Sequence, residues 1–375
     1  MKRRDFLKTS AALGAAAAMP NVVLANDDKK TRKFRVEYFF NIKYDEEVYP
    51  ARLWNPMPYN ADYQKVRILN CGGNYNDYDL NNNNEYDANT FYAEWKKSAE
   101  PKIAVIEMVI ETKYRSVPLE KIEMASKENL PIPEDVKKYL KPTAHIPTNG
   151  IIKKLADRIV GDTKDRFERV KKIYYWCTSH TFRNPKVVGC GKGDVNHMMK
   201  TQKKEDVEYI YKHGWFGGKC TDLSSLFTAL VRAAGVPARE VFGIRLGKSH
   251  FDKALGKSDS KGFANITTWQ HCRAEYYIPG AGWIPTDPAD ITKLELVEGL
   301  KYDDPKVQEL VKRYLHSWEM NWMAFNHARD FVLYPRPTQY PLNMFGYPYA
   351  EVNDDVLNYY VPKSFEYKIT SQELF

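Results

Sequence analysis

Along residues 31 to 115, apolar and polar positions alternate. Phe34, Val36 and Tyr38 are separated by Arg35 and Glu37, and Ile103 to Ile106 with Met108 to Ile110 form a second apolar run. Alternation with a period of two marks strands that bury one face. Trp54-Asn55-Pro56-Met57-Pro58 suits an edge strand, where the N–H that proline lacks is not needed. The stretch from Cys71 to Thr90 is polar, carries Asn81 to Asn84, and is expected to be a loop. Residues 31–117 are thus predicted to form an N-terminal β-sandwich-like domain.

Further on the period changes. Pro118, Pro131, Pro133, Pro142 and Pro147, mixed with lysines, mark a linker over 118–148. From Thr163 to Cys177, residues Phe167, Val170, Tyr174 and Cys177 share one helical face. After Thr221-Asp222, the residues Leu223, Leu226, Phe227, Leu230, Val231 and Ala234 form a single apolar stripe. Gly235 and Pro237 end that helix. Ile266 to Ile278 is predicted as a strand, with Trp269, His271, Arg273 and Glu275 on one face and Gln270, Cys272, Ala274 and Tyr276 on the other. Pro279 to Gly282 turns the chain, and Trp283 to Asp287 returns beside it. A symmetric turn leaves Asp287 out of register with His271, so a bulge or skewed loop is expected there. Residues 292 to 332 are predicted helical, and Leu333 to Phe375 should pack back as strands or loops. The expected organisation is a core over 149–295, then a helical and Pro/Tyr-rich extension over 296–375 packing on that core.

Composition narrows the classes. The chain has 375 residues, 43% hydrophobic and 28% charged, which excludes global disorder and suits two or three domains. No apolar run is long enough to span a bilayer as a helix. Aromatics reach 14%, so Trp322, Tyr347 and Tyr349 either line a groove for an extended polymer or fill the core. The net charge of +8 is spread out, and no basic stripe of the kind nucleic acid requires is present.

The amino terminus carries an address. Arg3-Arg4-Asp5-Phe6-Leu7-Lys8, a weakly apolar alanine-rich stretch and Val23-Leu24-Ala25 resemble a bacterial twin-arginine (Tat) export signal over residues 1–25. The resemblance implies passage through the Tat machinery, which carries cargo already folded, and a periplasmic or extracellular destination. Position 26 is Asn, so no lipid-anchored cysteine follows cleavage there. Five cysteines remain: Cys71, Cys177, Cys190, Cys220 and Cys272. An odd number leaves at least one thiol unpaired within the chain. Cys177 and Cys190 are candidates for a disulfide. Cys177, His180, Cys190 and His197 match no zinc spacing, and neither a metal nor a cofactor is expected.

Two apparent phosphate loops fail. Gly214 to Cys220 is one residue short and has Cys where Ser or Thr would meet magnesium, and Gly247-Lys248-Ser249 has Phe242 where glycine is required. Cys220 has a different logic. It follows Gly217-Gly218-Lys219 at the amino end of a buried helix, where partial positive charge favours thiolate. The glycines leave backbone N–H groups approachable, as an oxyanion pocket needs. The alternative is an inert buried cysteine. A thiolate nucleophile wants an imidazole, and the imidazole an orienting group. His271 and Asp287 are the candidates.

These residues carry a family resemblance. Gly214 to Arg239 (G-W-F-G-G-K-C-T-D-L-S-S-L-F-T-A-L-V-R-A-A-G-V-P-A-R) resembles the nucleophile segment of the transglutaminase-like superfamily. Trp269 to Pro288 (W-Q-H-C-R-A-E-Y-Y-I-P-G-A-G-W-I-P-T-D-P) resembles its His and Asp hairpin. The helix with Ile173-Tyr174-Tyr175-Trp176 resembles the one preceding the nucleophile loop. The resemblance implies an α+β, papain-like core in which a nucleophile helix packs on an antiparallel sheet. It implies Cys220 as nucleophile, His271 as base and then acid, and Asp287 as the orienting carboxylate. Trp215 is a candidate second oxyanion donor or a groove wall. Cys272 departs from the aromatic or apolar residue usual beside the histidine, and is expected to be a small core residue.

The implied reaction is acyl transfer through a thioester. Hydrolysis of a peptide or amide bond in a peptide, protein or cell-wall peptide is the leading expectation. The alternatives are a catalytically silent scaffold or polymer-binding module on the same fold, and an amine-accepting transglutaminase. No D-x-D-x-D-G calcium loop is present.

Overall fold

Alternating strands supply the first layers. In the computed structural model, which describes residues 31–375, β1 (Thr31–Ile42) buries Phe34, Val36, Tyr38 and Phe40 and turns Lys33, Arg35 and Glu37 outward. The export signal lies outside the described residues. The chain continues through β2 (Tyr49–Pro56), β3 (Gln64–Gly73), β4 (Asp77–Asn81), β5 (Thr90–Ser98) and β6 (Lys102–Lys113). The stretch expected as a polar loop is therefore partly strand, at 71–73 and 77–81, while 82–89 remain irregular. β4 is exposed along its length, so it needs no apolar alternation and left no periodic signal.

The middle of the chain is mixed. α1 (Leu119–Glu128) and a 3-10 turn (Glu134–Leu140) occupy the segment expected as linker. α2 (Gly150–Val160) and α3 (Arg166–His180) follow, the latter opened by Asp165, whose carboxylate accepts the Glu168 N–H at 2.9 Å. α4 (Cys220–Ala233) is buried at every residue. Then come β7 (Ala238–Arg245), β8 (Arg273–Ile278), β9 (Gly282–Thr286), α5 (Ala289–Glu298) and α6 (Pro305–Arg313). Helix ends there. Beyond Arg313, where helix was expected to reach 332, Ser317–Trp318, β10 (Trp322–Asn326) and Arg329–Phe331 are extended. The last labelled strands are β11 (Tyr349–Val352) and β12 (Tyr367–Leu374).

The strands form three main sheets. A four-stranded antiparallel sheet runs β9-β8-β7-β10, and α4 packs on β7 and β8. This is the expected α+β core. Two five-stranded sheets form the sandwich. One runs Phe263–Asn265, β12, β1, β6, β3, and the other Asp355–Val356, β11, β2, β5, β4. Their facing residues, among them Phe34, Val36, Leu53, Phe91, Trp95, Ala350 and Ile369, share one core. Ile244 and Met323 of the four-stranded sheet join that core, so residues 31–375 cluster as one compact unit.

β2 is not the expected edge strand. β11, nearly three hundred residues later, pairs with its outer side, Tyr349 opposite Trp54. Pro56 closes the strand, where its missing N–H costs the ladder little. Trp322, Tyr347 and Tyr349 are buried, which decides between groove and core in favour of core. Among the described residues no helix is long and apolar enough to cross a membrane.

The C-terminal strand completes the sandwich through Ile369, buried opposite Tyr38. Ile369→Ala is expected to cost about 2–5 kcal/mol, read as a lower urea midpoint, while the exposed neighbour change Lys368→Ala stays within about 0.5 kcal/mol.

Candidate active site

The nucleophile candidate is placed by the capping of α4. Lys219 stands at the N-cap and Cys220 at the first helical position, where backbone N–H groups have no partner inside the helix. Asp222 serves the cap: its Oδ2 accepts the Lys219 N–H at 3.0 Å and its Oδ1 the Gly193 N–H at 2.8 Å. The Thr221 N–H donates to the Cys190 carbonyl at 2.9 Å. The segment 190–193 thus lies across the helix mouth. Gly191 has φ of 85° and a Cβ there would stand 1.9 Å from Asp222 Oδ2, so glycine is required.

Phe216–Gly218 pairs in parallel with Thr181–Arg183, which fixes the approach to Cys220. Trp215 stacks on Phe182, ring centroids 5.3 Å apart, and is 47% exposed. Its backbone N–H donates to Gln202 Oε1 at 3.1 Å.

His271 lies just before β8. Its backbone N–H donates to the Gly243 carbonyl at 2.9 Å, and its carbonyl accepts the Trp322 indole N–H at 2.9 Å. The imidazole Nε2 is 2.7 Å from Asp287 Oδ2 and 3.5 Å from Asp290 Oδ2. The β8–β9 ladder is regular, with Ala274 opposite Thr286. Continued by one residue, that register puts Asp287 level with Arg273. No bulge is needed, because side chains two residues apart on one face reach each other diagonally across a ladder. Asp287 Oδ1 also accepts the N–H groups of Ala289 at 3.2 Å and Asp290 at 3.1 Å.

The carboxylates are buried. Asp287 and Asp290 are both 0% exposed. Burial, and then Asp290, raise the Asp287 pKa from its ordinary value. Burial also works to raise Asp290, but Arg245, His271 and Lys293 overcome it and hold Asp290 below the usual carboxylate range. Arg245 Nη2 donates to Asp290 Oδ1, and Arg273 Nε lies 3.3 Å from Asp287 Oδ2. Sequence reasoning missed Asp290, Arg245 and Arg273 as parts of this cluster. The signals existed: Arg273 shares the strand face of His271, and Asp290 falls in the first turn of α5, three residues after Asp287.

Three sulfurs meet at the mouth of α4. The Sγ atoms of Cys190, Cys220 and Cys272 lie within 4.8 Å of one another. Cys190 Sγ donates to the Gln270 carbonyl at 3.0 Å, and Cys272 Sγ is 3.0 Å from Thr221 Oγ1. Burial works to raise the Cys220 pKa. The neighbouring Cys190, Cys272 and His271 side chains, with the charge of His271, outweigh it and hold this thiol well below its ordinary value. Its neighbours move the other way. Cys190 is raised, first by its hydrogen bond to Cys220, and Cys272 is raised, first by burial. Cys220 is thus the most acidic of the three thiols. All five cysteines are free thiols, so the candidate Cys177–Cys190 disulfide is not formed. Cys177 is a buried member of α3, and Cys190 belongs to the loop over Cys220. Two sets of donors are compact enough to share an ion: Cys190 with Cys220 and Cys272, and His271 with Asp287 and Asp290.

A buried cysteine opening a helix, packed on an antiparallel sheet that presents a histidine and a carboxylate, defines a transglutaminase-like fold. Residues 153–288 match the core model of the transglutaminase-like superfamily, so the chain carries a transglutaminase-like core domain. A twin-arginine translocation signal sequence matches residues 1–20, which implies export by the Tat pathway. A Haemophilus influenzae relative, named only as an uncharacterized protein, is 39% identical over the full length of both chains. YebA of Bacillus subtilis, also named as uncharacterized, is 26% identical over 36% of this chain and 17% of its own. Among solved structures, the periplasmic domain of TgpA from Pseudomonas aeruginosa aligns at 13% identity, covering 76% of this chain and 93% of that one, with a TM-score of 0.33.

The lowered pKa has a direction that alkylation kinetics reads. Cys220 should keep its thiolate, and hence its reaction with iodoacetamide, well below about pH 8.5, the value for a free thiol. Its rate falls only as pH drops through the lowered pKa. Cys177, held up by burial, should stay unlabelled over the same range. Peptide mapping after timed labelling checks both.

Proposed function

We propose that this protein is an exported cysteine-dependent acyl-transfer enzyme that hydrolyses a peptide or amide bond through a thioester on Cys220. One observation carries the reading. Cys220 lies within hydrogen-bonding reach of His271, whose Nε2 is bonded to the buried Asp287 at 2.7 Å. That contact occupies Nε2 and leaves Nδ1 for the sulfur.

The steps follow from this geometry. The Cys220 thiolate attacks the carbonyl carbon, and the π electrons move to the oxygen. The oxyanion is stabilised by the Cys220 N–H at the positive end of α4. Collapse expels the amine, which takes its proton from His271 and leaves an acyl thioester. His271, now neutral, takes a proton from water as the water attacks. The second collapse releases the acid and returns the thiolate. Asp287 orients the imidazole and offsets its charge. The exposure of Trp215 and its stacking on Phe182 support a groove wall. The substrate class is a peptide, protein or cell-wall peptide met in the periplasm or outside the cell.

An activated p-nitrophenyl ester tests the reading without a known substrate. The mature protein should release nitrophenolate in a burst and carry the acyl group on Cys220 by mass spectrometry. His271→Ala should slow acylation by about 10²–10⁴-fold. Added primary amine separates the acceptors. Free acid as the main product supports hydrolysis, whereas amide as the main product means amine transfer. An unacylated wild-type protein overturns the enzyme reading and leaves a scaffold.

A further inference from the structure

Beside His271 lies a cavity of about 240 Å³. Five cationic side chains line it: Arg183, Arg245, Lys253, Lys257 and Lys293. Two of them are engaged within the protein. Arg245 donates to the Leu255 carbonyl at 2.7 Å and to Asp290, and Lys253 lies 3.8 Å from Glu298. Arg183 and Lys293 form no salt bridge among the described residues, and Arg183 Nη1 is buried without a hydrogen-bond partner. Arg183 reaches the cavity from the strand beside the nucleophile loop. Lys293 reaches it from α5, one turn after Asp290.

A buried guanidinium N–H without an acceptor, next to a part-buried ammonium, is costly in an isolated protein. A carboxylate supplies what both lack, and guanidinium binds it in two-point geometry. We infer that this cavity is an anion subsite that holds a carboxylate of the substrate beside the amide bond attacked by Cys220. The inference rests on the acyl-transfer reading and adds its specificity: substrates with an acidic group next to the scissile bond.

Lys293 supports the assignment. Burial first, then the neighbouring Arg245 and Arg183, lower its pKa to about 7, while Asp290 and Cys220 act in the opposite direction. Lys253 and Lys257 add positive charge at the cavity wall, and Glu298 on α5 offsets Lys253. The ammonium therefore gives up its proton near neutrality when the cavity is empty, and a bound anion draws that proton back. Anion binding should be strongest below about pH 7 and weaken as pH rises through the Lys293 pKa, with the arginines charged throughout.

Two alkylating reagents read the subsite. The Cys220 thiolate displaces iodide from either iodoacetate or iodoacetamide, so their rate ratio cancels the reactivity of the sulfur and leaves the effect of the carboxylate. The ratio at Cys220 should exceed that of free cysteine by about tenfold at low salt. It should fall toward the free-cysteine value in Arg183→Gln/Lys293→Gln, in the charge-reversed surface variant Lys257→Glu, and in wild type at high salt. The salt arm needs no variant to fold. N-acetylglutamine, with only a main-chain carboxylate, and N-acetylisoglutamine, with only a side-chain carboxylate, are then compared as protectants against iodoacetamide. Protection by the first assigns a chain-terminal carboxylate, and by the second an acidic side chain. A wild-type ratio equal to that of free cysteine, with protection by neither, overturns the subsite while leaving Cys220 as nucleophile. Should Cys220 react with neither reagent, the acyl-transfer reading fails, and calorimetric titration of Cys220→Ala with N-acetylglutamate decides the subsite alone. Binding that is lost in Arg183→Gln supports it, and no binding overturns it.

Discussion

A negatively charged sulfur removed from water is the constraint on which this site is built. Cys220 is 1% exposed and His271 2%, so bulk water contributes little to stabilising the thiolate. The protein replaces it with fixed dipoles and neighbours: the first turn of α4, the adjacent Cys272 side chain, and the imidazole of His271. Each replacement has its own support. The glycines at 191 and 193 let the Cys190 loop cross the helix mouth, and Asp222 pins that loop to the cap. The Trp322 indole holds the His271 carbonyl, and Trp322 in turn carries Arg273 over its ring at 4.6 Å. Arginines at 245 and 273 balance the two carboxylates behind the imidazole.

Much of this arrangement was legible in the residues because local rules and the global fold agree. The apolar stripe of α4 and its glycine-rich approach located Cys220 at a helix start. The alternation around His271 placed Arg273 on the same face. The hairpin at Pro279 to Gly282 brought Asp287 back to that level. Alternation in β1 is matched residue by residue in its buried face. In each case one element buries a single face, and a single buried face is what periodicity encodes.

What was not legible depends on long-range neighbours. An exposed strand such as β4 has no face to encode. β2 reads as an edge because the partner that covers it is at the far end of the chain. The extended segments after Arg313 lie in a region rich in apolar residues on both faces, where strand and helix look alike. β10 is buried at every position. The convergence of three cysteines is of the same kind. Cys190, Cys220 and Cys272 are far apart in sequence, and no local pattern foretells that a loop, a helix start and a strand entrance bring their sulfurs together.

The pairing of β1 with β12 has a consequence for the life of the chain. β1 finds one of its two hydrogen-bonded neighbours only in β12, at the far end of the described residues. Until β12 has been made, β1 can meet β6 on one side but has an unsatisfied edge on the other, and the two β layers cannot close around their shared interior. Such a protein is ill suited to threading outward while still being made. A route that waits for a finished, folded cargo fits the wiring of its strands.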